Sequence, residues 1–130
     1  RVNALYYYMS FTAGAGALYS TVEDLYSWYQ GIYSGKILSK ESLTELSTPS
    51  IETGQHASQG YGLGIGKLNN HTILTHSGGT DGCSTDFRIY DDKLFVIVLS
   101  NYENSPVSHI SQGLAAIILG EKFELSKTSN

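Results

Sequence analysis

Residues 61–100 read YGLGIGKLNNHTILTHSGGTDGCSTDFRIYDDKLFVIVLS, and this stretch decides the fold. Tyr61, Leu63 and Ile65 alternate with Gly62, Gly64 and Gly66. That period is a strand's, and the glycines leave one face bare for another backbone or a helix to approach. Asn69 and Asn70 tolerate positive φ and suit a tight turn, so residues 61–68 and 71–76 pair as a hairpin. Alternation returns over residues 84–90, where Arg88 separates Phe87 from Ile89, and Asp91 and Asp92 turn the chain into residues 93–100. The unbroken run from Leu94 to Leu99 predicts burial on both faces, as for a central strand.

Upstream, Ser20 and Glu23 have capping-box spacing, and Val22, Leu25, Tyr26, Tyr29, Ile32 and Tyr33 recur on one helical face, ended by Gly35. The periodicity assigns most of these tyrosines to the core, and Glu23 and Asp24 to the helix start. Ser39 caps a shorter helix through Leu43 and Leu46 that stops before Pro49. Residues 1–19, rich in Tyr, Ala and Gly, read as a buried irregular lead-in, and the polar residues 50–59 as a loop. Downstream, Ser105 as N-cap, Pro106 at the first helical position and Gly120 at the end bound a last helix. Its expected apolar face is Val107, Ile110, Leu114, Ile117 and Ile118. Short turns between consecutive strands force antiparallel pairing. The expectation is an α+β fold, an antiparallel sheet of about four strands with helices packed against it, forming a single domain over residues 1–130.

The 130 residues carry a net charge of −4 with no basic stripe, which excludes a phosphate-tracking surface and argues against a nucleic-acid partner. The longest apolar runs, Leu94 to Leu99 and Leu114 to Leu119, are far short of the roughly 20 residues that span a bilayer. The single Cys83 makes no internal disulfide and reads as a small packed side chain. The start at Arg1, with no signal-peptide pattern, fits a processed or truncated product.

The densest chemical segment is His76, Ser77, Gly78, Gly79, Thr80, Asp81, Gly82, read as a strand running into a glycine-rich turn. Glycines there let backbone N–H groups approach a ligand. Taken alone, His76 reads as an ordinary half-buried histidine and these glycines as plain turn residues. Together with Gly16 to Thr21, Asp24 and Leu25, Ile37 to Pro49, Gly60 to Gly64 and Val96 to Asn101, however, the segment resembles the C-terminal portion of class C β-lactamase-like serine hydrolases. These include penicillin-binding D-alanyl-D-alanine carboxypeptidases, β-lactamases and esterases. The family's third active-site motif is Lys-Thr-Gly or His-x-Gly, and His76, Ser77 and Gly78 match the second form.

The resemblance implies acyl transfer on a small-molecule or peptide substrate (a β-lactam, a D-Ala-D-Ala peptide or an ester) with no cofactor. It gives His76 the proton relay, for which imidazole is suited near neutral pH. Ser77 and Gly78 fall at the substrate, and the backbone N–H of Gly79 in the oxyanion hole. It further implies an extracytoplasmic bacterial parent. The nucleophilic motif S-x-x-K does not occur, and neither Tyr19, followed by Ser20 and Thr21, nor Tyr33, followed by Ser34 and Gly35, opens the second motif, Tyr-x-Asn. One motif of three is recognised, so the chain is expected to be inactive alone. In the complete fold an earlier segment supplies strands beside residues 93–100. The far edge of that strand is therefore expected to be open, favouring self-association or pairing with the missing N-terminal segment.

Other readings compete. A triad of Ser77, a histidine and Asp81 or Asp86 fails because His76 is a strand neighbour of Ser77 and points to the opposite face. A metal site from His56, His71, His76 and His109 matches no ligand spacing. A non-catalytic module that recognises a peptidoglycan-like or acylated ligand is the rival in a different class, with Tyr6 to Tyr8 available to line a groove.

Overall fold

The computed structural model describes residues 3–6, 8–54 and 57–124. Six antiparallel strands follow one another in chain order across one sheet: β1 (Ile51–Gly54), β2 (Ala57–Gln59), β3 (Gly64–Leu68), β4 (His71–Thr80), β5 (Cys83–Tyr90) and β6 (Leu94–Ser100). Helices α1 (Val22–Tyr33) and α2 (Lys40–Leu46) precede the sheet and α3 (Val107–Leu119) follows it. The class is α+β, as read from the sequence. The strand count is six rather than about four, because the polar segment read as a loop contributes β1 and β2. Their pairing rests on backbone bonds to each other and to the glycine strand β3, which side-chain patterning does not report.

Turn chemistry places the strand ends. Asn69 at φ 52° makes the β3–β4 turn, and Asp91 and Asp92, both at positive φ (50° and 58°), make the β5–β6 turn. β3 starts three residues later than its alternation suggested, and Tyr61 lies exposed before it. Among the described residues β6 is the last strand of the sheet, its far edge unpaired as expected. Helices cover it on both sides, which is why its run is unbroken; Val96 alone is fully buried there.

Two cores sandwich the sheet. On one face Tyr29 of α1 packs with Leu63, Ile65, Leu74 and Ile89, flanked by Tyr33, Leu46, Phe87 and Phe95. On the other, Ile73, Tyr90 and Val96 pack with Ala115 of α3, flanked by Leu94 and Leu119. Thr21, one residue later than the expected Ser20, caps α1 by accepting the Asp24 N–H at 3.1 Å. Glu23 and Asp24 occupy its first turn, and Gly35 at φ 75° follows its end. Ser39 caps α2 as expected, accepting the Ser42 N–H at 3.2 Å.

α3 departs most from its pattern. Its cap position is Pro106, and the Ser105 hydroxyl instead meets that of Ser100 at 2.5 Å. The buried residues are Val107, Ser111, Gly113, Ala115 and Ala116, whereas Ile110, Leu114, Ile117 and Ile118 are exposed. The helix lays its small side chains on the sheet because Asp86, 2 % exposed, stands beneath it. The Asp86 carboxylate accepts bonds from the Ser108 hydroxyl at 2.9 Å, from the Ser111 hydroxyl, and from Arg88 Nε at 2.8 Å. Arg88 Nε also reaches Ser111 Oγ at 3.0 Å. Residues 1–19 are a further correction: among those described, Leu5, Tyr6, Phe11, Leu18 and Tyr19 are exposed rather than buried.

A second polar cluster ties the end of α3 to the turns. His71 Nδ1 meets Asp91 Oδ2 at 2.5 Å, and His71 Nε2 lies 3.4 Å from Glu121 Oε1. Asn69 Nδ2 donates to Glu121 Oε2 at 2.7 Å. The hydrogen bond with Asp91 raises the His71 pKa above its ordinary 6.5, and the same bond lowers that of Asp91 below 3.8. A raised imidazole pKa stabilises the fold fully below pH 6.5 and is lost as pH rises through the folded value. A lowered carboxylate pKa stabilises it above pH 3.8 and is lost on acidification.

Two outcomes follow. Asp86→Ala strands Arg88 without its buried counter-charge and should cost about 3–5 kcal/mol in urea unfolding. His71→Gln should lower the melting temperature near pH 5 to 6, with the difference from the parent chain shrinking as pH rises from 6.5 through the raised folded value.

Candidate functional site

β4 is the longest strand and runs through His76, Ser77, Gly78 and Gly79 to Thr80, so these residues form extended backbone and not the glycine-rich turn read from the sequence. The turn is Asp81 and Gly82 alone, with Gly82 at φ 84°. The reason is pairing: β5 faces β4 from Ile73 as far as Thr80, matching Ser77 with Asp86, Gly78 with Thr85 and Gly79 with Ser84.

On its other side β4 is paired only from His71 to Thr75, where β3 starts opposite it at Gly64. Residues 76–80 therefore have one edge bonded to β5 and the other without a partner among the described residues. Alternation decides which groups point there. The carbonyl of Gly78 is on the β5 side, where it accepts the Thr85 hydroxyl at 3.3 Å. In an antiparallel ladder successive residues turn their N–H and C=O groups to opposite sides. Thus Ser77 and Gly79 direct theirs to the open edge. A Cβ at Gly78 would stand 3.1 Å from Thr85 Oγ1, a close contact that the hydroxyl would have to yield to.

The side chains divide between the faces. His76 lies on the α1 face, exposed, with its ring against Phe87 at a centroid separation of 6.1 Å and 22° between planes. Phe87 in turn meets Trp28 at 6.0 Å and Phe95 at 5.7 Å. This aromatic row was not picked out from the sequence. The Asp81–Gly82 turn could have revealed it, because the hairpin register centred there puts Phe87 opposite His76. Ser77 is exposed on the α3 face across from Asp86, so the pair His76 and Ser77 does not converge. Asp86 is committed to Arg88, Ser108 and Ser111, which removes it as a triad acid.

The other sequence candidates disperse. Tyr29 donates to the Asp92 carbonyl at 3.2 Å and Tyr33 to the Asp92 carboxylate at 3.1 Å; burial holds both phenols above their ordinary value. Tyr6 and Tyr8 are exposed, and Tyr7 lies outside the described residues. Cys83 is an exposed thiol beside the turn and not a packed one. The triplet Tyr102, Glu103, Asn104 has the spacing Tyr-x-Asn, which the reading of Tyr19 and Tyr33 overlooked. It lies after β6, where Gly82 N–H donates to Glu103 at 3.3 Å and Ser84 Oγ to the Tyr102 carbonyl at 2.9 Å. It follows the His-Ser-Gly segment in the chain, the reverse of the order of a second and third motif. Among the described residues no group of three or more His, Cys, Asp and Glu side chains could hold a metal, and His56 lies outside them. No helix among them is long and apolar enough to cross a membrane.

The open edge of β4 at residues 76–80 lies on an antiparallel sheet with helices on both faces. The family model described as Beta-lactamase matches residues 1–120, and the chain belongs to the beta-lactamase family. Among solved structures it is similar to a penicillin binding protein from Bacillus halodurans, with a TM-score of 0.62 and 16 % identity. The match covers 75 % of this chain and 30 % of that one, so this chain spans less than a third of that neighbour's length.

Phe87→Ala should remove the ring current on His76 and shift its Hε1 resonance downfield in NMR spectra. Removing Trp28, which touches Phe87 and not His76, should shift it far less.

Proposed function

We propose that this chain is the C-terminal segment of a β-lactamase-related serine hydrolase, folded as one unit over residues 1–130. It supplies the wall strand of an acyl-transfer site whose nucleophile comes from elsewhere. The observation that carries the reading is the open edge of β4 at residues 76–80, with the Gly79 N–H directed into it. A backbone N–H on a strand that β5 holds in place is a pre-aimed donor, and it stabilises charge developing on a substrate oxygen without reorganising.

In this reading His76, exposed on the α1 face, relays the proton, and Phe87 fixes the plane of its ring. Ser77 and Gly78 border the substrate. The substrates are acyl compounds of the family's range, a β-lactam, a D-Ala-D-Ala peptide or an ester, and the parent acts outside the bacterial cytoplasmic membrane. No S-x-x-K serine is present, so the chain is inactive by itself.

Incubating the chain with a fluorescent penicillin and a p-nitrophenyl ester tests this by covalent mass change and hydrolysis. The expected result is no labelling of the isolated chain, and labelling of the partner's serine when a separately made N-terminal segment of a family member is added. In that mixture His76→Ala should lower turnover about 100-fold or more, the scale of a lost proton-transfer group. Acylation of the isolated chain would contradict the reading.

A further inference from the structure

The Gly79 N–H belongs to the same peptide unit as the Gly78 carbonyl. That unit is planar and trans, so its C=O and N–H point in opposite directions and turn together. Whatever holds the Gly78 oxygen toward β5 therefore aims the Gly79 N–H at the open edge. The strand pairing does part of this, since Gly78 faces Thr85 across the hairpin. Thr85 adds a bond from its side chain, whose hydroxyl donates to the Gly78 carbonyl oxygen at 3.3 Å. Among the described residues no other side chain bonds to the backbone of residues 76–80.

The sequence explains why this peptide needs a second hold. It lies between two glycines, the residue type with the widest range of φ and ψ, so its plane can turn with little steric resistance. Its outer side is unpaired, because the pairing of β3 with β4 ends at Thr75. The fit between the two partners is close. Gly78 has no Cβ, and one built there would stand 3.1 Å from Thr85 Oγ1, so the bare α-carbon gives the hydroxyl its room. Thr85 is β-branched, which restricts its χ1, and it sits on a strand bonded on both edges, to Gly78 on β4 and Leu99 on β6. A bond accepted by the carbonyl also polarises the peptide and strengthens the donor at its other end.

We infer that Thr85 is a positioning residue for the oxyanion donor: its hydroxyl fixes the Gly78–Gly79 peptide so that the Gly79 N–H meets developing charge without reorganising. The geometry rests on the hairpin alone, and the catalytic consequence rests on the acyl-transfer reading. Thr85 stands across β4 from the open edge, so it acts through the peptide and touches no substrate. The charge on the substrate oxygen develops in the transition state. Loss of the hydroxyl therefore falls on kcat and leaves KM nearly unchanged.

Two variants test it: Thr85→Val keeps the branched shape and removes the hydroxyl, and Thr85→Ser keeps the hydroxyl. In the isolated chain, with circular dichroism checking that each variant folds, NMR reads the peptide directly. Thr85→Val should move the Gly78 carbonyl carbon upfield and lower the order parameter of the Gly79 N–H, and Thr85→Ser should restore both. In the mixture with an N-terminal segment of a family member, Thr85→Val should lower kcat on the p-nitrophenyl ester about tenfold with KM unchanged, a part of the loss that follows removal of a whole donor. Thr85→Ser should recover most of that rate. A Gly78–Gly79 peptide indifferent to Thr85→Val overturns the inference, whatever the mixture does. A loosened peptide with unchanged kcat overturns its link to the oxyanion. If the peptide responds but the parent chain gives no activity in the mixture, the acyl-transfer reading fails and the positioning role fails with it.

Discussion

The register of one hairpin governs this molecule. Asp81 and Gly82 form the link between β4 and β5, and every pair along the two strands is fixed by stepping away from that turn: Thr80 with Cys83, Gly78 with Thr85, Ser77 with Asp86, His76 with Phe87. A slip by one residue would carry His76 to the α3 face and Asp86 out of reach of Ser108 and Ser111. The aromatic row beside His76 and the polar lock beneath α3 are both consequences of where that turn falls.

The hairpin also separates two tasks. On the α1 face, residues of β4 and β5 end in rings: His76, Phe87 and, beyond them, Trp28 and Phe95. On the α3 face, β5 presents a buried Asp86 and Arg88 that only a helix with small and hydroxylated side chains can approach. The larger residues of α3 are thereby turned away from the sheet, which gives the molecule its apolar flank. The chain belongs to the beta-lactamase family, and the local bonding of β5 accounts for the shape of β4.

Much of this was legible in the residues. The Asn69–Asn70 and Asp91–Asp92 turns, the α2 cap at Ser39 and the end of α3 at Gly120 all come from short-range chemistry that tertiary packing does not overrule. The misreadings share a different cause. β1 and β2 are held by backbone pairing to a glycine strand, so no side-chain period marks them. The face of α3 was misjudged because a buried carboxylate outweighed hydrophobicity. β6 has the composition of a central strand because two helices bury its sides, and burial of faces carries no information about edges. At the site the sequence ended β4 at His76 and read the glycine-rich segment after it as a turn, whereas Ser77, Gly78 and Gly79 continue the strand. Pairing across the hairpin, which extends it to Thr80, is a non-local interaction.

Amide hydrogen exchange resolved by NMR tests most directly whether β4 continues as a strand through residues 76–80 with one edge bonded. The N–H groups of Gly78 and Thr80, directed at β5, should be protected, while those of Ser77 and Gly79 exchange rapidly from the open edge. Rapid exchange at all four positions would mean that the segment is a loop, and the geometry assigned to Gly79 would be wrong.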